Sequence, residues 1–201
     1  MGFWRTLTGK LRQWWLSRLP PRDYAEYLKR KGVFHAMGEN CAISPHASIH
    51  DMAFIQLGSN VRLSNCSLFG HDGSVNMINQ ALGTSFDAVG PIIIGDDVFV
   101  GHQAIILPNV RIGSRVIIAA GAVVASDIPS NSVAAGVPAR VVRSFDEHVE
   151  RVRRKNEGLP WLEQRAKGRD YDPAMEKRLR SVRAEYFLGA RDREETAASN
   201  A

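Results

Sequence analysis

Aliphatic side chains recur at every sixth position along the middle of the chain. The uninterrupted series consists of Ile94, Val100, Ile106, Ile112, Ile118 and Val124. A second apolar series lies four positions after each member, at Val98, Ala104, Val110, Val116, Ala122 and Ile128. Six-residue spacing does not fit the 3.6-residue period of an α-helix, but it suits short strands joined by tight corners, with aliphatic side chains facing inward. The pattern therefore predicts a repetitive β-structure over residues 94–129.

An earlier and weaker block has the same spacing in two overlapping frames. One frame is Ile43, Ile49, Ile55 and Val61, and the other is Leu57, Leu63 and Phe69. The sequence leaves the register open here. Between the two blocks, residues 70–91 have no six-residue period, and a solenoid accommodates such a segment only as a loop extruded from one edge. Because loops of this kind commonly carry function, we expect the chemistry there.

The segments GHDGSV, IGDDVFVGHQAIILPNVRIG and VIIAAGAVVASDIPSNSVAAGVPAR resemble the hexapeptide-repeat acyltransferases, in particular bacterial O-acetyltransferases that modify sugars, lipopolysaccharide and capsule. The resemblance covers about residues 24–160. It implies an all-β fold, a left-handed parallel β-helix with three hexads per turn, flanked by helical extensions. The expected parts are an N-terminal helical segment (1–40), a β-helix acyltransferase domain (41–142) with an extruded loop (71–91), and a C-terminal helical extension (143–201) that frays from residue 190.

His71 stands at the root of the loop, where the resembling acyltransferases place their general base. An imidazole, with an unperturbed pKa of about 6.5, can take and return a proton at neutral pH. The resemblance implies that His71 accepts the proton of an acceptor hydroxyl as that oxygen attacks a thioester carbonyl. Asp72 is the second catalytic candidate. Either Asp72 or Asp87 could orient His71, although adjacent residues of an extended segment point in opposite directions, which weakens Asp72 as a direct partner.

The same resemblance implies acetyl-CoA as the acyl donor, bound without a metal ion. Small residues would let the pantetheine arm lie against the backbone, and arginines would pair with the CoA phosphates. Many relatives carry Thr-Lys at positions 125–126 and Gly, Ala or Ser at position 102, so the sequence departs from the family at both places. The implied donor-binding residues are Gly101, His102, Ala120, Ala125, Ser126, Arg140 and Arg143.

Net charge is unevenly distributed along the chain. Residues 1–30 carry seven Lys/Arg and two Asp/Glu, residues 31–142 carry five and seven, and residues 143–201 carry fourteen and twelve. The repeat region is therefore slightly acidic, which argues against nucleic acid as a partner. Two cysteines, Cys41 and Cys66, are too few for a disulfide framework, and no secretory signal is evident, so we expect a cytoplasmic protein.

Residues 1–19 contain three of the four tryptophans, four cations and no acidic residue. On a helical wheel Trp4, Leu7 and Trp14 share one face, and Arg5 and Arg12 lie opposite. Such a helix can lie in an anionic membrane interface, or its aromatic face can pack on the solenoid or on another subunit. Both alternatives remain open. Further helices are expected over residues 23–31, 145–156 and 173–188.

The function implied by the resemblance is acetyl-CoA-dependent O-acetylation of a sugar hydroxyl in a cell-surface glycan or its precursor, by a homotrimer with donor clefts between subunits. N-acetylation of an amino sugar is the near alternative, because both reactions need the same base and donor. A carbonic-anhydrase-like metalloenzyme would use His71 and His102 as ligands, but Leu107 occupies the position where that pattern wants another histidine. A non-catalytic trimeric scaffold is a third alternative, which lack of CoA binding would favour.

Overall fold

A computed structural model describes residues 11–162 and 173–199. Over residues 36–124 the chain winds through three sheets in which neighbouring strands are parallel and successive strands belong to different sheets. Sheet A contains β1 (Ala36–Met37), β4 (Ile55–Leu57), β7 (Ile92–Ile94) and β10 (Val110–Ile112). Sheet B contains β2 (Ala42–Ile43), β5 (Arg62–Leu63), β8 (Val98–Val100), β11 (Val116–Ile118), β13 (Ser132–Ala135) and the antiparallel β14 (Arg140–Ser144). Sheet C contains β3 (Ser48–Ile49), β6 (Ser67–Leu68), β9 (Ile105–Ile106) and β12 (Val123–Val124).

The hexad positions line the interior of this parallel β-helix, as predicted. All twelve residues of the two apolar series between Ile94 and Ile128 are buried. Strand pairing shows the length of a coil: Ile92 pairs with Val110, and Val98 pairs with Val116, an offset of 18 residues or three hexads. Alternation along each strand explains the two series, because residues two apart on a strand face the same side.

The two competing frames of the first block meet at a short 3₁₀ turn at Met52–Phe54, and the second frame ends before Phe69, because Leu68 takes the inward position there. Before the turn, Ile43 is buried and Ile49 is packed against the core; after it, Leu57 and Leu63 occupy the corresponding inward positions. The turn makes the step from Ile49 to Leu57 eight residues long instead of six. The first coils are therefore longer than 18 residues, as the pairings Ala42↔Arg62 and Ser48↔Ser67 show.

Helix α1 (Pro21–Lys31) closes one end of the β-helix interior. Its buried residues Ala25 and Leu28 belong to the same hydrophobic core as Ile43. The N-terminal helical segment is thus part of the first compact unit of the chain, residues 1–150. A helix that covers the end of a solenoid prevents the terminal strands from pairing with another chain.

The second compact unit comprises residues 151–201. Helix α3 (Phe145–Asn156) begins in the first unit, where Ser144 and Glu147 exchange hydrogen bonds as a capping box, and ends in the second. In the second unit, Trp161 is buried and packs edge-on against Tyr186. The last helix, α4 (Pro173–Ser199), continues through residues 190–199, which we expected to fray; strong helix formers such as Ala and Glu dominate that stretch. Helix α2 (Ser74–Leu82) lies in the loop.

Candidate active site

The loop leaves the β-helix after β6, at the corner between sheets C and A, and returns at β7. Two backbone hydrogen bonds close its root: the Gly90 N–H donates to the Gly70 carbonyl (2.8 Å), and the Asp72 N–H donates to the Ala88 carbonyl (2.9 Å). His71 forms an antiparallel bridge with Val89 between these bonds. His71 is therefore fixed at the base of the loop, next to the surface of the β-helix, while α2 occupies the outer part.

The imidazole of His71 is paired with the carboxylate of Asp51. Nδ1 of His71 contacts Oδ2 of Asp51 at short hydrogen-bond distance, and 43% and 31% of the two side chains remain exposed. Asp51 belongs to the preceding coil, at the start of the 3₁₀ turn, in a left-handed backbone conformation (φ 55°). Pairing of β3 with β6 places it beside Gly70, whose missing Cβ leaves the room it needs. With Nδ1 in this contact, Nε2 is the ring nitrogen on the opposite side of the imidazole.

The structure gives the orienting position to Asp51, and neither Asp72 nor Asp87 occupies it. Asp72 accepts the N–H of Ser74, the first residue of α2, at 2.9 Å. This hydrogen bond lowers the pKa of Asp72 below its usual value. Asp87 accepts the N–H of Ala88. Both carboxylates shape the loop backbone, which agrees with the expectation that Asp72 points away from its neighbour. Whether Asp72 has a catalytic part stays a prediction.

A second histidine, His50, lies next to His71 and was not among the predicted site residues. Its ring stacks on Phe69 with centroids 5.1 Å apart and planes 15° apart. Its centroid lies 6.3 Å from that of His71, with the rings nearly perpendicular. Ser48 Oγ lies 3.0 Å from Nε2 of His50 and holds the ring. His50 lies one coil before Phe69, and this position could have identified it. The sequence leaves the register of the first block open, however, so this alignment is not evident from the sequence alone.

Three predicted donor-binding residues meet at the corner that joins sheet B to sheet C. Gly101 stacks on Ala120 so closely that a Cβ on Gly101 would lie 2.5 Å from the Ala120 nitrogen. The Gly121 N–H donates to the carbonyl of His102 (2.8 Å), which aligns the two coils. Gly101 is buried, while the other two predicted residues are exposed. The corner thus exposes the side chains of His102 and Ala120 where the strands of sheet C begin.

The remaining predicted donor-binding residues are spread over two other places. Ala125 and Ser126 directly follow the end of β12 and are exposed. They lie at the opposite end of the sheet C strands from Gly101. Arg140 begins β14, exposed, and follows Ala139, whose N–H donates to the carbonyl of Val123 in β12. Arg143 lies apart from this set, opposite Val133 in sheet B. Sheet C is therefore the surface that adjoins both His71 and all the predicted donor residues except Arg143.

Two further properties concern the described residues, 11–162 and 173–199. They contain no group of three or more His, Cys, Asp or Glu side chains placed to hold a metal ion. Within the same ranges, no helix has both the length and the apolar character that crossing a bilayer requires.

Comparison with known proteins shows what the repeats are similar to. Residues 91–126 match the model of the bacterial transferase hexapeptide, in six repeats. A 2,3,4,5-tetrahydropyridine-2,6-dicarboxylate N-acetyltransferase of Staphylococcus aureus (strain JH9) is 47% identical over 60 residues, which is 30% of this chain and 25% of that protein. The chain thus spans a quarter of the length of the curated relatives it matches.

Solved structures extend the likeness beyond the repeats. A hexapeptide-repeat acetyltransferase from Vibrio cholerae is 24% identical, with 70% of this chain and 90% of that chain covered, at a TM-score of 0.52. A second structure of the Vibrio protein, complexed with acetyl coenzyme A, is 23% identical over 70% of this chain and 86% of that one, at a TM-score of 0.47. Residues 91–126 are thus similar to the bacterial transferase hexapeptide repeats, and the chain has the left-handed β-helix fold of the hexapeptide-repeat acetyltransferase from Vibrio cholerae.

Proposed function

We propose that the protein is an acetyl-CoA-dependent O-acetyltransferase that acts on a sugar hydroxyl of a cell-surface glycan or its precursor. The observation that carries this proposal is the pairing of His71 with Asp51 at the root of the loop. An exposed imidazole with a carboxylate on one nitrogen is arranged to remove a proton with the other. The likeness of the repeats to acetyltransferases supports acetyl as the group transferred.

The reaction proceeds by direct transfer. The acceptor oxygen attacks the thioester carbonyl as Nε2 of His71 takes its proton, so that a C–O bond forms. The C–S bond then breaks, and His71 returns the proton to the leaving CoA sulfur. The products are an acetyl ester and free CoA thiol, and no acyl-enzyme forms. Asp51 stabilises the imidazolium that exists between the two proton transfers, since opposite charges at this distance attract.

Acetyl-CoA lies along sheet C, with its pantetheine arm against the corner of Gly101 and Ala120. The short side chain of Ala120, which is exposed, permits close approach to the backbone there. Arg140 is exposed beside β12 and is available to a CoA phosphate. Holding donor and acceptor against one surface replaces a bimolecular encounter and supplies much of the rate.

The donor part of the proposal is tested by calorimetric titration of acetyl-CoA into the wild-type protein and Arg140→Ala. We expect saturable binding that weakens about tenfold in the variant, because charge-assisted hydrogen bonds to phosphate are lost. His71→Ala should bind acetyl-CoA as the wild type does, yet transfer acetyl about 10²- to 10⁴-fold more slowly. Absence of acetyl-CoA binding to the wild type would overturn the proposal and favour the scaffold.

N-acetylation of an amino sugar is the second candidate function, favoured by the Staphylococcus relative, whose name is that of an N-acetyltransferase. His71 would serve it equally, since an attacking amine also loses a proton. A screen that offers each sugar in hydroxyl and amino forms, with mass spectrometric analysis of the product, separates the two. Transfer confined to the amino forms would replace O-acetylation by N-acetylation.

A homotrimer is part of the proposal. The loop carries four large apolar side chains that are exposed on the single chain, Met77, Leu82, Phe86 and Val89. Apolar side chains gathered on a projecting loop favour contact with another surface, and a second copy of this chain is the occupant proposed here. Light scattering should give three times the chain mass for the wild type and a smaller mass for the double variant Met77→Ser/Leu82→Ser. A monomeric wild type would contradict the assembly.

The N-terminal segment is proposed to contact an anionic membrane on its cytoplasmic side. The helix formed by residues 11–16 leaves Leu11, Trp14 and Trp15 exposed by 61%, 56% and 52%. The guanidinium carbon of Arg18 lies 4.1 Å from the centroid of the Trp14 ring. Aromatic residues next to cations are typical of interfacial helices. Residues 1–10 lie outside the described residues.

Vesicle sedimentation tests the membrane contact. The wild type should bind phosphatidylglycerol-containing vesicles and not phosphatidylcholine vesicles, and Trp14→Ala/Trp15→Ala should bind less. Binding of the double variant equal to that of the wild type would contradict a lipid role for this face. If the double variant instead changed the oligomeric mass, the face would contact another subunit.

A further inference from the structure

The outer face of sheet C carries a row of side chains next to His71. Ile49, Leu68 and Ile106 face the interior on adjacent strands, so the residues that follow them face outward in register. Two backbone hydrogen bonds fix this register. The His50 N–H donates to the carbonyl of Leu68, and the Phe69 N–H donates to the carbonyl of Ile106. His50 and Phe69 therefore stand side by side on the surface of the β-helix.

His50 is held in a defined orientation although it is exposed. One ring face stacks on Phe69, which is itself half-buried, and Nε2 contacts the Ser48 hydroxyl. β3 is the edge strand of sheet C, so among residues 11–162 and 173–199 no further strand of this sheet covers the other side of His50. An exposed aromatic ring fixed on two sides offers a flat apolar surface at little entropic cost.

The same four-residue segment orients the base. Ser48 holds His50, and Asp51, the next residue, holds His71. The two imidazoles are nearly perpendicular, with centroids 6.3 Å apart. His50 and His71 are therefore neighbours at the root of the loop.

We propose that His50, supported by Phe69, is the binding surface for a pyranose ring of the acceptor. This inference rests on the proposed function and names its substrate class. A pyranose presents several C–H groups on one face and hydroxyls around its edge. The C–H face packs on the aromatic ring while an edge hydroxyl reaches His71. An open-chain polyol carries similar hydroxyls but has no flat apolar face, so this surface discriminates against it.

Saturation-transfer NMR tests this binding surface without requiring turnover. The probes are methyl glucopyranoside, galactopyranoside and mannopyranoside, and their controls are the corresponding open-chain alditols. In the wild type we expect signals from at least one pyranoside and a preference for it over its alditol of about tenfold in Kd. His50→Ala should lose this preference, and Phe69→Leu should reduce it. His46→Ala, the same change at an exposed histidine outside the row, should retain it.

Folding and donor binding are measured on the same variants. Thermal unfolding shows that each variant is folded, and a titration with acetyl-CoA should give the wild-type Kd for His50→Ala. Absence of any pyranoside signal in the wild type, equal binding of pyranosides and alditols, or an unchanged preference in His50→Ala would each overturn the inference. Failure of acetyl-CoA to bind would instead reject the proposed donor, and the sugar preference would still decide the role of His50.

Discussion

Asp51 determines what His71 can do at the scale of single residues. A carboxylate on Nδ1 selects the tautomer in which Nε2 carries the lone pair, and it stabilises the ring once that nitrogen is protonated. In the proposed reaction both effects would act on the transition state more than on bound substrate. The prediction that follows concerns kcat and leaves donor affinity unchanged.

Asp51→Asn should lower kcat by about 10²-fold, since a neutral amide cannot stabilise the imidazolium. The KM for acetyl-CoA should stay near the wild-type value. Steady-state kinetics measures both constants. An equal loss of activity in Asp87→Asn, whose carboxylate accepts the Ala88 N–H, would contradict the assignment of Asp51.

Gly70 is required by the approach of the two coils at this pair. A Cβ at Gly70 would lie 2.7 Å from the Cβ of Asp51, so Gly70→Ala must displace Asp51. We expect it to reduce acetyl transfer about as much as Asp51→Asn does. Gly73→Ala is the matched control, because a Cβ there meets no atom within 4 Å. Similar activities for the two alanine variants, measured with the same acceptor, would show that the close contact is not needed.

At the scale of elements, each short strand stabilises the β-helix through its inward side chains. Strand β11 shows this clearly, since Ile118 is fully buried while the adjacent Ile117 faces outward and is only half-buried. In a repeat protein each coil contacts only the coil before it and the coil after it. A cavity in one coil therefore weakens its interfaces on both sides.

Ile118→Ala should lower the free energy of unfolding by about 3 kcal/mol, from lost burial and the cavity left behind. Ile117→Ala removes the same atoms from the opposite face and should cost less than half as much. Urea denaturation followed by circular dichroism compares the two. Equal losses would mean that the inward and outward positions are not energetically distinct.

At the scale of the whole molecule, the two cysteines report on the integrity of the β-helix. Cys41 and Cys66 are free thiols and are buried in the first coils. Burial raises the pKa of the Cys66 thiol to about 12, and it also raises the pKa of Cys41. Since the thiolate is the reactive form, neither cysteine should react while the coils are closed.

A chromogenic disulfide reagent at pH 8 should therefore label the native protein slowly. Labelling should accelerate with urea in parallel with the loss of β-structure, because both thiols become accessible when the first coils open. The matched control is the fully unfolded chain, in which both thiols should react at once. Rapid labelling of either cysteine in the native protein would show that these coils open independently of the rest.

The sequence by itself determined the repeats, the inward residues and the position of the loop root. These depend on a local pattern, because a coil of three hexads reproduces its own spacing wherever it begins, and all twelve predicted inward positions between Ile94 and Ile128 are buried. The helix at Phe145–Asn156 was equally predictable, since its cap and its polar faces lie within one short segment.

Only the tertiary structure decided which residues surround His71. A strict 18-residue coil would place Ala53 one turn before it, but the 3₁₀ turn and the longer first coils bring Asp51 there instead. The same shift places His50 against Phe69. A change of one or two residues in coil length alters every contact between neighbouring coils, whereas the alternation within each strand is unaffected. The fold could therefore be predicted from the pattern, and the partners of the base could not.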